Sequence, residues 1–147
     1  MKKFKFKLWP LLKIKEIEKL KIEQRLSIVL NEITKRVSEI DFNLKDIRTI
    51  IESSSSERSM NLLFGQDYLN HRKNNIRVLR LEIEKFENDK SAILKELVRI
   101  NREIDKLVEI KEEDFVGYKK QISKKEEQGI EEVLMLRNTS LGESDYE

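Results

Sequence analysis

Cysteine is absent from this 147-residue chain, and proline occurs once, histidine once and glycine four times. Without cysteine the chain has no disulfide framework and no thiolate metal site, which fits a reducing compartment. One histidine gives no histidine-based metal spacing, and there is no glycine-rich loop of the kind that holds a phosphate. We therefore expect no metal, no cofactor and no enzymatic activity.

A long apolar run is absent too. The basic start, MKKFKFKLWPLLKIK, has a longest uncharged stretch of five residues, Leu8 to Leu12, interrupted by Pro10. An export signal needs about 7–15 unbroken apolar residues, and a membrane span needs about 18. The sequence thus predicts a cytoplasmic protein without a signal peptide or a membrane span.

Charge of either sign is abundant but balanced. Charged residues make up 39 % of the chain, and 30 basic against 28 acidic side chains leave a net charge of +2. The apolar residues are mostly Leu, Ile and Val in repeats, which is too little for a globular interior but enough for a seam between helices. The balance argues against a general polyanion binder, and we predict no nucleic-acid partner.

Two long stretches carry apolar residues at helical spacing. The first consists of Ile22, Leu26, Leu30, Ile33, Val37, Ile40, Leu44, Ile47 and Ile51. The second consists of Ile76, Leu79, Ile83, Phe86, Lys90, Ile93, Leu97, Ile100, Ile104 and Leu107, with one charged member. Alternating steps of three and four residues are typical of coiled coils. The fold class predicted is all-α: two long helices forming an antiparallel coiled-coil hairpin with an overhanging second helix.

The boundaries of the hairpin follow from local signals. Pro10 suits the first turn of a helix, and the run Ser53–Ser56 favours a turn. We place helix 1 at about 10–52, the loop at about 53–65 and helix 2 at about 66–137, which together form one domain at 1–137. The polar, aperiodic residues 138–147 are predicted to be a disordered tail. Residue n of helix 1 should then lie near residue ~113 − n of helix 2.

The end with both chain termini should expose excess apolar surface. Helix 2 should overhang from roughly residue 112, and helix 1 carries apolar residues on more sides than one neighbour can cover. Such a surface marks a docking site. Alternatively, the N-terminal segment folds onto the overhang, or dimers cover it. The loop end should carry a smaller apolar patch that either covers the turn or offers a second contact. It consists of Phe42, Leu62, Leu63, Phe64 and Tyr68.

The first 21 residues hold eight lysines and two glutamates. Interleaved with Phe4, Phe6 and Trp9, these lysines fit contact with acidic lipid or nucleic acid. They equally fit lysine stems that lie beside an apolar contact.

The order of these features resembles the FliJ family of flagellar export proteins. The similarity rests on Phe4-Lys5-Phe6, the Leu11-Leu12 pair, Lys15-Glu16, Tyr68 after the loop, and the run Gln128 to Val133. It spans about residues 3–137. The resemblance implies a coiled-coil stalk in the pore of the hexameric flagellar export ATPase, promoting ring assembly, contacting the cytoplasmic portion of the export gate and handling export chaperones. It also implies a position at the flagellar basal body, peripheral to the membrane through these partners.

We assign the two ends of the hairpin to the two large partners as a hypothesis. The residues for the ATPase ring are Phe4, Phe6, Leu8, Leu11, Ile14, Phe115, Tyr118, Ile122, Ile130 and Val133. The residues for the export gate are Phe42, Leu62, Phe64 and Tyr68. A stalk of a virulence-type secretion ATPase, a nucleic-acid-binding arm and a dimerising coiled-coil scaffold stay open as alternatives.

Overall fold

The computed structural model describes residues 3–54 and 59–144, except for the side chains of residues 54, 59–64 and 140–144. It contains two helices, α1 (Trp9–Ser54) and α2 (Ser59–Ser144), and no strand within the described ranges. The two helices pack against each other, which confirms the predicted all-α hairpin.

Helix α2 is longer than the sequence pattern indicated. It begins at Ser59, where a loop was expected up to residue 65, and it continues to Ser144. The predicted disordered tail is therefore wrong for residues 138–144, and residues 145–147 lie outside the described ranges. A glycine such as Gly65 costs a helix only about 1 kcal/mol. No proline follows Pro10, so each further residue adds a hydrogen bond to a helix already nucleated.

The chain divides into two compact units, Met1–Glu16 with Arg102–Glu147, and Ile17–Asn101. In the second unit, cross-helix ion pairs join Arg25 to Glu96, Arg36 to Glu82 and Asp46 to Arg72, so the numbers of each pair add up to between 118 and 121. These sums exceed the expected 113 because side chains tilt toward the N-terminus of their own helix. In an antiparallel pair, each of two contacting residues therefore lies on the C-terminal side, in its own helix, of the level at which the side chains meet. Both residue numbers are raised in this way, and so is their sum.

The α2 side of the seam agrees with the predicted spacing. Ile100 is completely buried, and Ile76, Leu79 and Ile93 are each less than a tenth exposed. Along the chain these four residues are separated by three, fourteen and seven positions, so they share one face of the helix.

On the α1 side of the seam, every second predicted residue from Leu30 onward was wrong. Four predicted members are 40–54 % exposed: Leu30, Val37, Leu44 and Ile51. Val29 and Asn43 are buried in their place, and Arg36 is 21 % exposed between them. Steps of four and three from Ile22 and Leu26 lead to Val29. Two successive steps of four would instead turn the stripe away from α2 by roughly 80°.

The polar residues that this geometry brings into the seam have partners. Asn43 Nδ2 donates to the Glu39 carbonyl at 2.9 Å, and Asn43 Oδ1 accepts from Arg72 at 2.9 Å. Arg36 donates to Glu32 at 2.6 Å and to Glu82 at 2.7 Å. These bonds raise the pKa of Arg36, the bond to Glu32 most of all, and the same bond lowers the pKa of Glu32. The hydrogen bonds offset the cost of taking polar groups out of water.

Replacing the completely buried Ile100 by alanine should cost about 2–5 kcal/mol of unfolding free energy, because a cavity is left in the seam. Val98→Ala is the matched control, since Val98 is half exposed on the same helix. Urea unfolding followed by circular dichroism measures both variants. Equal losses for the two would contradict the assigned seam.

Glu32 should make the hairpin more stable above the ordinary pKa of a glutamate, because its own pKa is lowered in the folded state. That contribution disappears as the pH falls through the lowered pKa. When the pH is lowered from neutral to about 3, the melting temperature of Glu32→Gln should therefore fall less than that of the wild type. Exposed Glu84, which makes no ion pair among the described residues, supplies the control Glu84→Gln. An equal fall in the melting temperatures of Glu32→Gln and the wild type would contradict the proposed contribution of Glu32 to stability.

Candidate docking surfaces

The N-terminal segment alternates buried and exposed side chains before α1 begins. Phe6 is 7 % exposed and Phe4 is partly buried, whereas Lys3, Lys5 and Lys7 are exposed. A period of two is what an extended backbone gives. The Trp9 N–H donates to the Phe6 carbonyl at 3.1 Å, which turns the chain into α1.

This segment lies against α2 through aromatic contacts. The Phe4 ring is 5.3 Å from the Phe115 ring at an angle of 64°, and 5.4 Å from the Tyr118 ring. Lys119 Nζ is 4.7 Å from the Phe115 ring centre. Of the alternatives raised by the sequence, folding of the N-terminal segment onto α2 is the one observed. Phe115 nevertheless stays 40 % exposed, and Ile122 is partly buried.

A groove beside this contact combines aromatic rings with lysines. Its volume is about 570 Å³, and its lining residues are Phe4, Lys5, Phe6, Lys7, Trp9, Pro10 and Lys111. Trp9 is 45 % exposed. The ammonium groups of Lys13 and Lys111 lie 5.0 Å and 5.2 Å from its ring centre. No pattern in the sequence indicates Lys111, because only the packing of α2 beside Trp9 brings it there.

Much of the predicted ring-binding surface is exposed. On α1 and just before it, Leu8, Leu11 and Ile14 are 37 %, 40 % and 53 % exposed. Residues 123–139 of α2 are exposed at every position. The large apolar residues of that stretch are Ile130, Val133, Leu134, Met135 and Leu136. We call residues 123–139 the bare stretch of α2. Phe6 differs from the other predicted ring contacts, because its burial leaves little surface for a partner.

At the loop end, Phe42 is 63 % exposed and lies 5.8 Å from the guanidinium of Arg72. Arg72 donates to the Tyr68 hydroxyl at 2.5 Å, and that hydroxyl donates to Asp46 at 2.8 Å. The bond to Tyr68 is the largest cause of a raised pKa for Arg72. Phe42 is thus an exposed ring beside a fixed cation.

The remaining three residues predicted for the loop end are Leu62, Leu63 and Phe64. Their backbones belong to α2, and their side chains lie outside the described part of the structure. The loop-end surface therefore rests on Phe42 and on Tyr68, which is 40 % exposed.

Several kinds of site are not found in the described ranges. No group of three or more His, Asp or Glu side chains in residues 3–54 and 59–144 is arranged to hold a metal ion. Neither helix, over those residues, has a segment long and apolar enough to cross a membrane. No protein-family model, no curated protein and no solved structure matches the chain.

Phe4→Ala should loosen the N-terminal segment, because it removes both ring contacts to α2. Aromatic pairs contribute about 1 kcal/mol each, so cleavage by trypsin after Lys5 and Lys7 should be roughly tenfold faster. Mass spectrometry of timed digests measures the rate. Phe42→Ala is the control, since Phe42 is an exposed ring far along α1, and it should cleave as the wild type does. Unchanged cleavage of Phe4→Ala would show that these ring contacts do not hold the segment.

Proposed function

We propose that this protein is a non-catalytic stalk and adaptor of the flagellar type III export apparatus. In this role it binds the export ATPase ring, promotes its assembly and activity, and links it to the export gate. The observation that supports the proposal most is the exposed apolar surface of the first unit, including the bare stretch of α2. Exposed apolar clusters of this kind mark contacts with other proteins.

The ring contact is assigned to apolar side chains that the first unit leaves uncovered. Leu8, Leu11 and Ile14 are available on one segment, and Ile130 and Val133 on the bare stretch. Phe6 supports this surface from beneath, because it is buried. Phe4, Phe115, Tyr118 and Ile122 join the N-terminal segment to α2, with Phe115 still offering part of its ring.

A stalk promotes ring assembly when it binds the assembled subunits more tightly than the separate ones. Binding to one state shifts the equilibrium toward that state by mass action. A surface that touches several subunits at once does this without any catalytic group. The gate contact is assigned to Phe42 and Tyr68, and export chaperones are further partners in the proposal. The protein would act in the cytoplasm, peripheral to the membrane at the basal body.

The same arrangement suits a stalk of a virulence-type secretion ATPase, and motility of a deletion strain separates these two roles. A dimerising scaffold is a second candidate, favoured by one observation. Leu30, Val37, Leu44 and Ile51 recur at every seventh position and are all exposed. A mass in solution of twice the chain's mass would support the scaffold, and the mass of a monomer would exclude it.

Ile130→Asn combined with Val133→Asn should weaken binding to the purified export ATPase by at least roughly tenfold. The two substitutions remove apolar area that a partner would bury, at about 1–2 kcal/mol per side chain. Surface plasmon resonance measures binding, and the ATP hydrolysis rate reports activation. Glu126→Ala with Glu127→Ala is the control, because it changes exposed polar residues of the same stretch.

Circular dichroism should show equal helix content for both double variants, since all four side chains are exposed. Wild-type affinity and activation by the Ile130 and Val133 variant would exclude the bare stretch from the ring contact. Absence of any complex between wild-type protein and ATPase would refute the proposed function itself.

A further inference from the structure

The charged side chains that line the groove beside Trp9 are all basic. Lys5, Lys7 and Lys111 line it together with aromatic rings and Pro10, and no carboxylate is among its lining residues. Lys13 adds a fourth ammonium group, 5.0 Å from the Trp9 ring centre. A concave surface that carries charge of one sign attracts the opposite charge more strongly than an open surface does.

These lysines have no acidic partner in the part of the chain that the structure describes. Among the described residues none of Lys5, Lys7, Lys13 and Lys111 forms an ion pair. Lys13 and Lys111 come from different helices, yet both place their ammonium groups over the same indole. Cation–π contacts of this kind place both positive charges beside the same exposed ring. A carboxylate that approaches the ring is therefore attracted by both.

We propose that this groove binds an acidic segment of a partner protein, one that carries an apolar side chain among its carboxylates. The apolar side chain would lie against the exposed Trp9 ring. The carboxylates would pair with Lys5, Lys7 and Lys111. This inference rests on the proposed function only for the identity of the partner, because the groove defines the chemistry of the segment by itself.

The surroundings of the groove favour a narrow segment over a flat anionic membrane. Glu112, Glu113 and Asp114 follow Lys111 directly and are all exposed. Asp114 lies three residues after Lys111 and is therefore its neighbour on the helix surface. A bilayer of anionic lipid pressed against this face would meet that carboxylate as well as the lysines. A peptide seated in a groove of about 570 Å³ need not contact it.

The test uses the fluorescence of Trp9, the only tryptophan of the chain. The full-length protein is titrated with a short synthetic peptide of glutamates around a central leucine. A saturable change in emission is expected, and Lys5→Gln with Lys7→Gln should weaken the affinity roughly five- to tenfold. Lys45→Gln with Lys95→Gln is the charge-matched control, since both lysines are exposed in the other unit. That control should keep the wild-type affinity.

Three results would overturn the inference. One is the absence of a saturable change with the peptide. Another is an equal loss of affinity in the control variant, which would make the attraction a general effect of charge. The third is a stronger Trp9 response to phosphatidylserine vesicles than to the peptide, lost on Lys5→Gln with Lys7→Gln, which would assign the groove to a membrane. Because the titration contains no ATPase, its failure leaves ring binding to be judged by the Ile130 and Val133 variant.

Discussion

The alternation of three- and four-residue steps along α1 is the constraint on which the hairpin depends. A helix turns by about 100° per residue, so this alternation keeps one narrow face toward a neighbouring helix. After Leu26 it selects Val29 for the seam and leaves Leu30 at the edge. Continued along the helix, the same choice brings in Arg36 and Asn43. Geometry therefore prevails over hydrophobicity at these positions.

Polar residues of α1 can occupy the seam because α2 supplies hydrogen-bond partners for them. Glu82 accepts from Arg36, and Arg72 donates to Asn43. Arg36 also lies 4.5 Å from the Phe86 ring, so its charge and its flat face both have partners. Polar residues in a coiled-coil seam fix the register at some cost in stability, since any shifted pairing strands them without partners. The hairpin thus has fewer apolar contacts in its seam but a defined alignment of its two helices. The apolar residues left exposed on α1 are Leu30, Val37, Leu44 and Ile51.

The sequence was sufficient for the fold class, and it was sufficient for the α2 seam at Ile76 and Ile100 because the residues on either side of each are polar. It was insufficient for α1, where Val29 and Leu30 are both apolar and adjacent. Choosing Val29 brings Arg36 and Asn43 into the seam. Hydrophobicity alone favours Val37 and Leu44 at those places, and it therefore selects Leu30 instead. The contact of Phe4 with Phe115 and the approach of Lys111 to Trp9 join residues that are far apart in the sequence. Local spacing therefore does not indicate either contact.

The bare stretch of α2 has to be helical with little help from packing. Isolated helices depend on propensity and on weak side-chain pairs along their own surface. Gly129 lowers the propensity by about 1 kcal/mol relative to alanine, and nothing within 4 Å of it requires a glycine. Meanwhile Ile130 and Val133 are more than half exposed beside it. A partner that covers these side chains supplies the burial that this stretch otherwise lacks, so binding and helix stability are coupled there.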